Sequence, residues 1–147
     1  LRNYADEIAR GAFFIIFFWF GILKVFGVSA AGPLVVDLLS VTFLDFIPVP
    51  TFMAAFGVFE MIVGTMALVP RLERLTFLLL LFHLCTTVMP LFLLPEITWE
   101  SQFVPSLTGQ YIMKNLALIS LGMLLLSRMK PMTKTHSFWS EEAFWAK

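Results

Sequence analysis

Four stretches of the chain run apolar with hardly a break, each close to the roughly 20 residues that an α-helix needs to cross a ~30 Å hydrocarbon layer. They extend from about Gly11 to Ala30, Thr51 to Val69, Leu75 to Leu94 and Tyr111 to Leu126. Pro70 and Pro95 stand just past two expected helix ends, where a residue that cannot continue a helix belongs. Pro90 falls inside the third run and is expected to kink it. The pattern predicts an all-α polytopic membrane protein, a four-transmembrane-helix bundle.

The connections divide sharply by charge. Arg2 and Arg10 precede the first run, Arg71 and Arg74 lie between the second and third, and Arg128, Lys130, Lys134 and Lys147 follow the fourth. The other two connections, residues 29–50 and 95–110, hold no Lys or Arg but carry Asp37, Asp45, Glu96 and Glu100. Positive charge is retained on the cytoplasmic side, so both termini are expected there. The segment AAGPLVVDLLSVTFLDFIPVP is too apolar for a solvated linker and too interrupted by Pro and Asp for a fifth span. It reads as a short interfacial or re-entrant helix starting near Pro33, with Leu34, Leu38 and Val41 on one face. In PEITWESQFVPSLTGQ, Trp99 is placed as an interface anchor. Residues 1–130 form one transmembrane domain, and 131–147 a cytoplasmic tail whose HSFWSEEAFWAK alternates aromatics with charge. That tail is expected either along the membrane surface, against a partner, or as a disordered end.

Composition narrows the function classes. Of 147 residues 59% are hydrophobic and 14% charged, and mean hydropathy is +0.88, more apolar surface than a soluble domain of this length can hide. Ten Lys+Arg balance ten Asp+Glu, which gives no sign of a nucleic-acid partner. Cys85 is the only cysteine and there are two histidines, so the sequence offers no disulfide, no CxxC motif and no metal-ligand cluster. Cys85 reads as a small apolar filler. The first apolar run is too long for a signal-peptide core and lacks a small-residue cleavage pattern, so it is expected to stay in the mature chain. The sequence opens on Leu1 rather than Met, which leaves room for residues upstream.

Against this background, four ionisable residues inside the spans stand out: Lys24, Glu60, His83 and Lys114. Such residues are costly in hydrocarbon and point to function. At a rise of about 1.5 Å per residue, Lys24 lies about 20 Å from the inner boundary, Lys114 about one turn below the outer face, and Glu60 and His83 near the midplane. Three helices are thus expected to bring Lys24, Glu60 and Lys114 to a common point in the outer half. Met53, Gly57, Glu60, Gly64 and Ala67 form a small-residue stripe that turns Glu60 toward the bundle. Gly21, Lys24 and Val28 share a face in the first span. Thr76, His83, Thr86, Thr87 and Pro90 make a polar strip in the third. Tyr111, Asn115, Leu118 and Gly122, with Lys114 alongside, do so in the fourth. Plainer roles compete: Lys24 and Lys114 snorkelling to the outer interface, Glu60 in a purely structural pair, and His83 bonded to nearby backbone or to Thr87.

The stretch FFWFGILKVFG, the Gly-Pro interfacial segment, FGVFEMIVG and LTGQYIMKNLALISLG together resemble the DoxX-like superfamily. The similarity is greatest to its YkgB-type bacterial inner-membrane branch, associated with resistance to reactive chlorine. That branch's W-x-G-x-x-K and K-N signatures fall here on Trp19, Gly21, Lys24 and on Lys114, Asn115. The resemblance implies a four-helix bundle with cytoplasmic termini, and a membrane subunit or accessory protein of a redox or stress-response complex rather than a catalyst on its own. DoxX itself resembles the membrane subunit of a thiosulfate:quinone oxidoreductase. The cofactor expectation is accordingly no covalent group, with a quinone or lipid held between helices by Lys24, Glu60, Lys114, Asn115, His83 and Tyr111. Membrane lipid and other membrane or redox subunits are the expected partners. Two further functions stay open: transport of a proton or small anion, and plain scaffolding in a larger complex.

Overall fold

The computed structural model describes residues 2–127; the tail expected over 131–147 lies outside them. Its elements run α1 (Arg2–Val25), α2 (Gly32–Ser40), α3 (Val49–Ala67), a 3-10 turn (Pro70–Leu72), α4 (Glu73–Val88), α5 (Pro90–Leu93), α6 (Pro95–Thr98), β1 (Trp99–Ser101), β2 (Val104–Pro105), α7 (Leu107–Met113) and α8 (Asn115–Ser127). Four helical stretches are long and apolar enough to cross a membrane: Tyr4–Val25, Val49–Ala67, Glu73–Leu93 and Leu107–Ser127. The predicted helical bundle is therefore present, with one addition. The second outer connection contains a two-stranded antiparallel hairpin that pairs Trp99 with Pro105 and Ser101 with Val104.

Local chemistry explains where the helices end. The first was expected to reach Ala30 but stops at Val25. Gly27 takes φ 70°, a left-handed conformation open to glycine at little cost. Its N–H donates to the Lys24 carbonyl, and Val28 N–H donates to the Leu23 carbonyl, the paired bonds of a Schellman cap. Val28, expected to share a face with Lys24, consequently lies beyond the helix and is exposed. Pro90 interrupts the third stretch as its sequence predicts, splitting α4 from α5 at Met89. The fourth stretch breaks at Lys114, between α7 and α8.

Pro33 does sit in the first turn of α2, a short helix packed on α3 and α5. The residue it buries is Leu39, while Leu34 and Leu38 are half-buried and Val41, past the last turn, is exposed. Trp99 donates its indole N–H to the Leu91 carbonyl at 3.0 Å, tying the hairpin back onto α5. Cys85 is exposed on α4 rather than filling the interior.

Glycines set the tightest contact. A Cβ added to Gly21 would lie 2.5 Å from the Gly57 carbonyl oxygen, and one added to Gly57 would lie 2.5 Å from the Gly21 carbonyl oxygen. Gly64 likewise faces the Phe17 Cβ and the Phe18 backbone. Small residues thus let α1 and α3 meet backbone to backbone. Met53, Gly57, Glu60, Gly64 and Ala67, the predicted stripe, are all buried. Phe13, Phe17, Val63, Ala67, Leu80 and Leu84 form the apolar core beside this crossing.

Candidate functional site

Lys24 occupies the last turn of α1, where a cation complements the partial negative charge of the helix C-terminus. The contact between Gly21 and Gly57 brings the third turn of α3 under it, and Gly57 would clash with the Lys24 Cβ if it carried a methyl group. One turn along α3, Glu60 receives the lysine: Lys24 Nζ donates to Glu60 Oε2 at 2.6 Å. The Phe20 carbonyl accepts a weaker bond from the same ammonium at 3.5 Å. Lys24 is 8% exposed and Glu60 4%, so the pair is inside the bundle and neither group snorkels.

The third member comes from α4. His83 Nε2 lies 3.5 Å from Glu60 Oε1, so the two carboxylate oxygens face different partners on different helices. His83 is 6% exposed and sits among aromatic rings: Phe17 edge-on at 5.1 Å, Phe56 stacked at 5.1 Å and Phe59 tilted at 6.2 Å. Lys24 Nζ also lies over the Phe56 ring at 5.8 Å, within cation–π range. His83 Nδ1 is buried with no hydrogen-bond partner among the described residues. Thr87 meets the His83 backbone and not, as expected, the His83 ring. Thr86 and Thr87 hydroxyls donate to the His83 backbone carbonyl at 2.7 and 2.6 Å, which leaves the ring free to face Glu60.

Lys114 does not join this group. It lies on the exposed side of the fourth stretch, with Nζ 4.7 Å from the centre of the Tyr111 ring, one turn nearer the N-terminal end. Tyr111 is 62% exposed. The face of this stretch that turns inward carries Gly109, Ile112 and Gly122, with Asn115 and Leu118 half-buried. Of the expected polar set, then, Lys24, Glu60 and His83 converge, whereas Lys114 and Tyr111 form a separate surface pair.

A second charged contact escaped the sequence analysis. About four turns before Lys24 on α1, Arg10 forms an ion pair with Glu73 at the start of α4 and donates to the Ala67 carbonyl at 3.2 Å. The available signal was that Arg10 and Glu73 fall at the same end of antiparallel spans. The pair stands at the rim of an apolar cleft among α1, α3, α4 and α8, separated from His83 by the Phe17 ring.

Chemically, the buried set is an ammonium, a carboxylate and an imidazole in one line, shielded by phenyl rings. It can hold charge and exchange a proton between Glu60 and His83. Among the described residues no group of three His, Cys, Asp or Glu is arranged to hold a metal. Compared with known proteins, the chain matches no family model, no curated protein and no solved structure.

Proposed function

We propose that this chain is an integral subunit or accessory protein of a redox or stress-response complex in the bacterial inner membrane, with both termini cytoplasmic. In this reading the Lys24–Glu60–His83 line is its working element. The resemblance to DoxX-like proteins motivates the assignment. The observation that carries it is that Glu60 is shared, at 2.6 and 3.5 Å, by a lysine and a histidine from two other helices. A buried ion pair built for stability alone has little use for a third ionisable group, since each desolvated charge is expensive. Glu60 and His83 together can take up and return a proton when a neighbouring subunit, or a quinone or lipid held against the helices, changes charge. Lys24 compensates the carboxylate. The protein is not catalytic by itself: the electrons travel on its partners.

The test is complementation under reactive-chlorine stress, combined with native-mass measurement of the solubilised complex. Glu60→Gln and Lys24→Met should insert normally, retain the partner and lose protection. Full protection by Glu60→Gln would remove the proton role.

His83 Nδ1, buried without a hydrogen-bond partner among the described residues, favours a second reading, proton or small-anion transport. Proteoliposomes containing only this protein decide between them: flux abolished by Glu60→Gln supports transport, and tight liposomes supports the subunit. A complex that forms and protects equally well with Lys24, Glu60 and His83 all neutralised would leave scaffolding.

A further inference from the structure

The two ring nitrogens of His83 meet unlike surroundings, and that difference fixes where its proton sits. Nε2 faces Glu60 Oε1 at 3.5 Å, the long limit of a hydrogen bond. A bare lone pair at that nitrogen would oppose a carboxylate oxygen, whereas an N–H is drawn to it. Nδ1 is buried and has no hydrogen-bond partner among the described residues. A proton on Nδ1 would therefore make a buried donor with nothing to receive it. The imidazolium, protonated on both nitrogens, meets the same cost. It also sets a second cation on a carboxylate that Lys24 already holds at 2.6 Å. Phe17 edge-on and Phe56 stacked, each at 5.1 Å, restrain the ring from turning its other edge toward Glu60.

We infer that His83 is a neutral imidazole protonated on Nε2, with Glu60 as the positioning residue that holds this tautomer and Nδ1 as the proton-accepting atom of the site. A carboxylate on one ring nitrogen orients the imidazole and raises the basicity of the other nitrogen. An O–H donor on a partner subunit or bound molecule that reaches Nδ1 gives its proton to that lone pair. The Nε2 proton then crosses to Glu60 Oε1. One proton has entered and one has been handed on, while Lys24 stays charged. The inference deepens the proton role proposed above and rests on that reading for its use, but the state of the ring is measurable without it.

Nitrogen-15 NMR of the full chain in detergent, labelled at histidine, reads the tautomer directly. The chain has two histidines, so a His136→Gln background leaves the His83 ring alone in the spectrum. At neutral pH it should show a protonated Nε2 and a bare Nδ1, told apart by their couplings to the ring carbons. A protonated Nδ1, alone or together with Nε2, overturns the inference. Lys24→Met/Glu60→Leu, which removes the carboxylate without stranding the lysine, should lose the preference for Nε2. An unchanged spectrum in that variant overturns Glu60 as the positioning residue. His83→Gln sets an amide N–H where Nε2–H stood but has no basic nitrogen. It should keep the Glu60 carboxyl infrared band of the wild type and lose protection under reactive-chlorine stress. Full protection with that band in place overturns Nδ1 as the accepting atom. A wild type that gives no protection counts against the proton role alone, because the NMR signature of the ring does not depend on it.

Discussion

Gly21 of α1 and Gly57 of α3 face each other so closely that neither could carry even a methyl group without meeting the other's carbonyl oxygen. This contact sets the height and rotation at which Lys24 reaches Glu60, three residues further along each helix. The charged site is thus a consequence of the backbone approach.

Gly57→Ala or Gly21→Ala should therefore push the two helices apart, at a cost of about 1–3 kcal/mol for overpacking. Thermal unfolding in detergent should show a clearly lowered midpoint for both. Gly11→Ala, where a Cβ meets nothing within 4 Å, serves as the control and should leave the midpoint unchanged or slightly raised. A Gly57→Ala protein that melts like the wild type would mean that the approach is looser than described.

The lysine–carboxylate pair should behave as a unit. Lys24→Met leaves Glu60 without its 2.6 Å donor, and Glu60→Leu leaves a buried ammonium with the weak Phe20 carbonyl bond at 3.5 Å and the Phe56 ring. Each single change should cost about 3–5 kcal/mol, the penalty of an uncompensated buried charge. The double variant Lys24→Met/Glu60→Leu should recover much of that loss. Additive destabilisation in the unfolding cycle would show that the two groups act independently.

His83 separates packing from charge. Its ring lies among Phe17, Phe56 and Phe59, so His83→Phe keeps the aromatic cluster and removes only the group facing Glu60. A near-isosteric swap of this kind should cost less than about 1.5 kcal/mol. Infrared difference spectra should nevertheless show an altered Glu60 carboxyl band. An unchanged band would mean that the 3.5 Å approach carries no interaction.

Lys114 offers the opposite case. Exposed and stacked on Tyr111, it lies outside the buried line. Lys114→Gln should change stability by less than about 0.5 kcal/mol, as exposed positions do, and leave the Glu60 band in place. A loss comparable to that of Lys24→Met would return Lys114 to the core site.

What the sequence determined by itself were the features that depend on a few neighbouring residues. The four long apolar stretches, the interruption at Pro90, the short helix opened by Pro33 and the buried stripe from Met53 to Ala67 all follow from local hydropathy, backbone sterics and helical period. The pairing of Lys24 with Glu60 was legible for the same reason, because a glycine stands three residues before each of them. Tertiary structure alone decided the third member. Depth counted along separate helices favoured Lys114, but that residue lies on the exposed side of the fourth stretch, and α4 presents His83 to Glu60 instead. The hairpin at Trp99 and the Arg10–Glu73 contact were decided the same way. Hydropathy sets how far a helix extends through the bundle. Its rotation and level come from contacts such as Gly21 on Gly57, made between residues far apart in the chain.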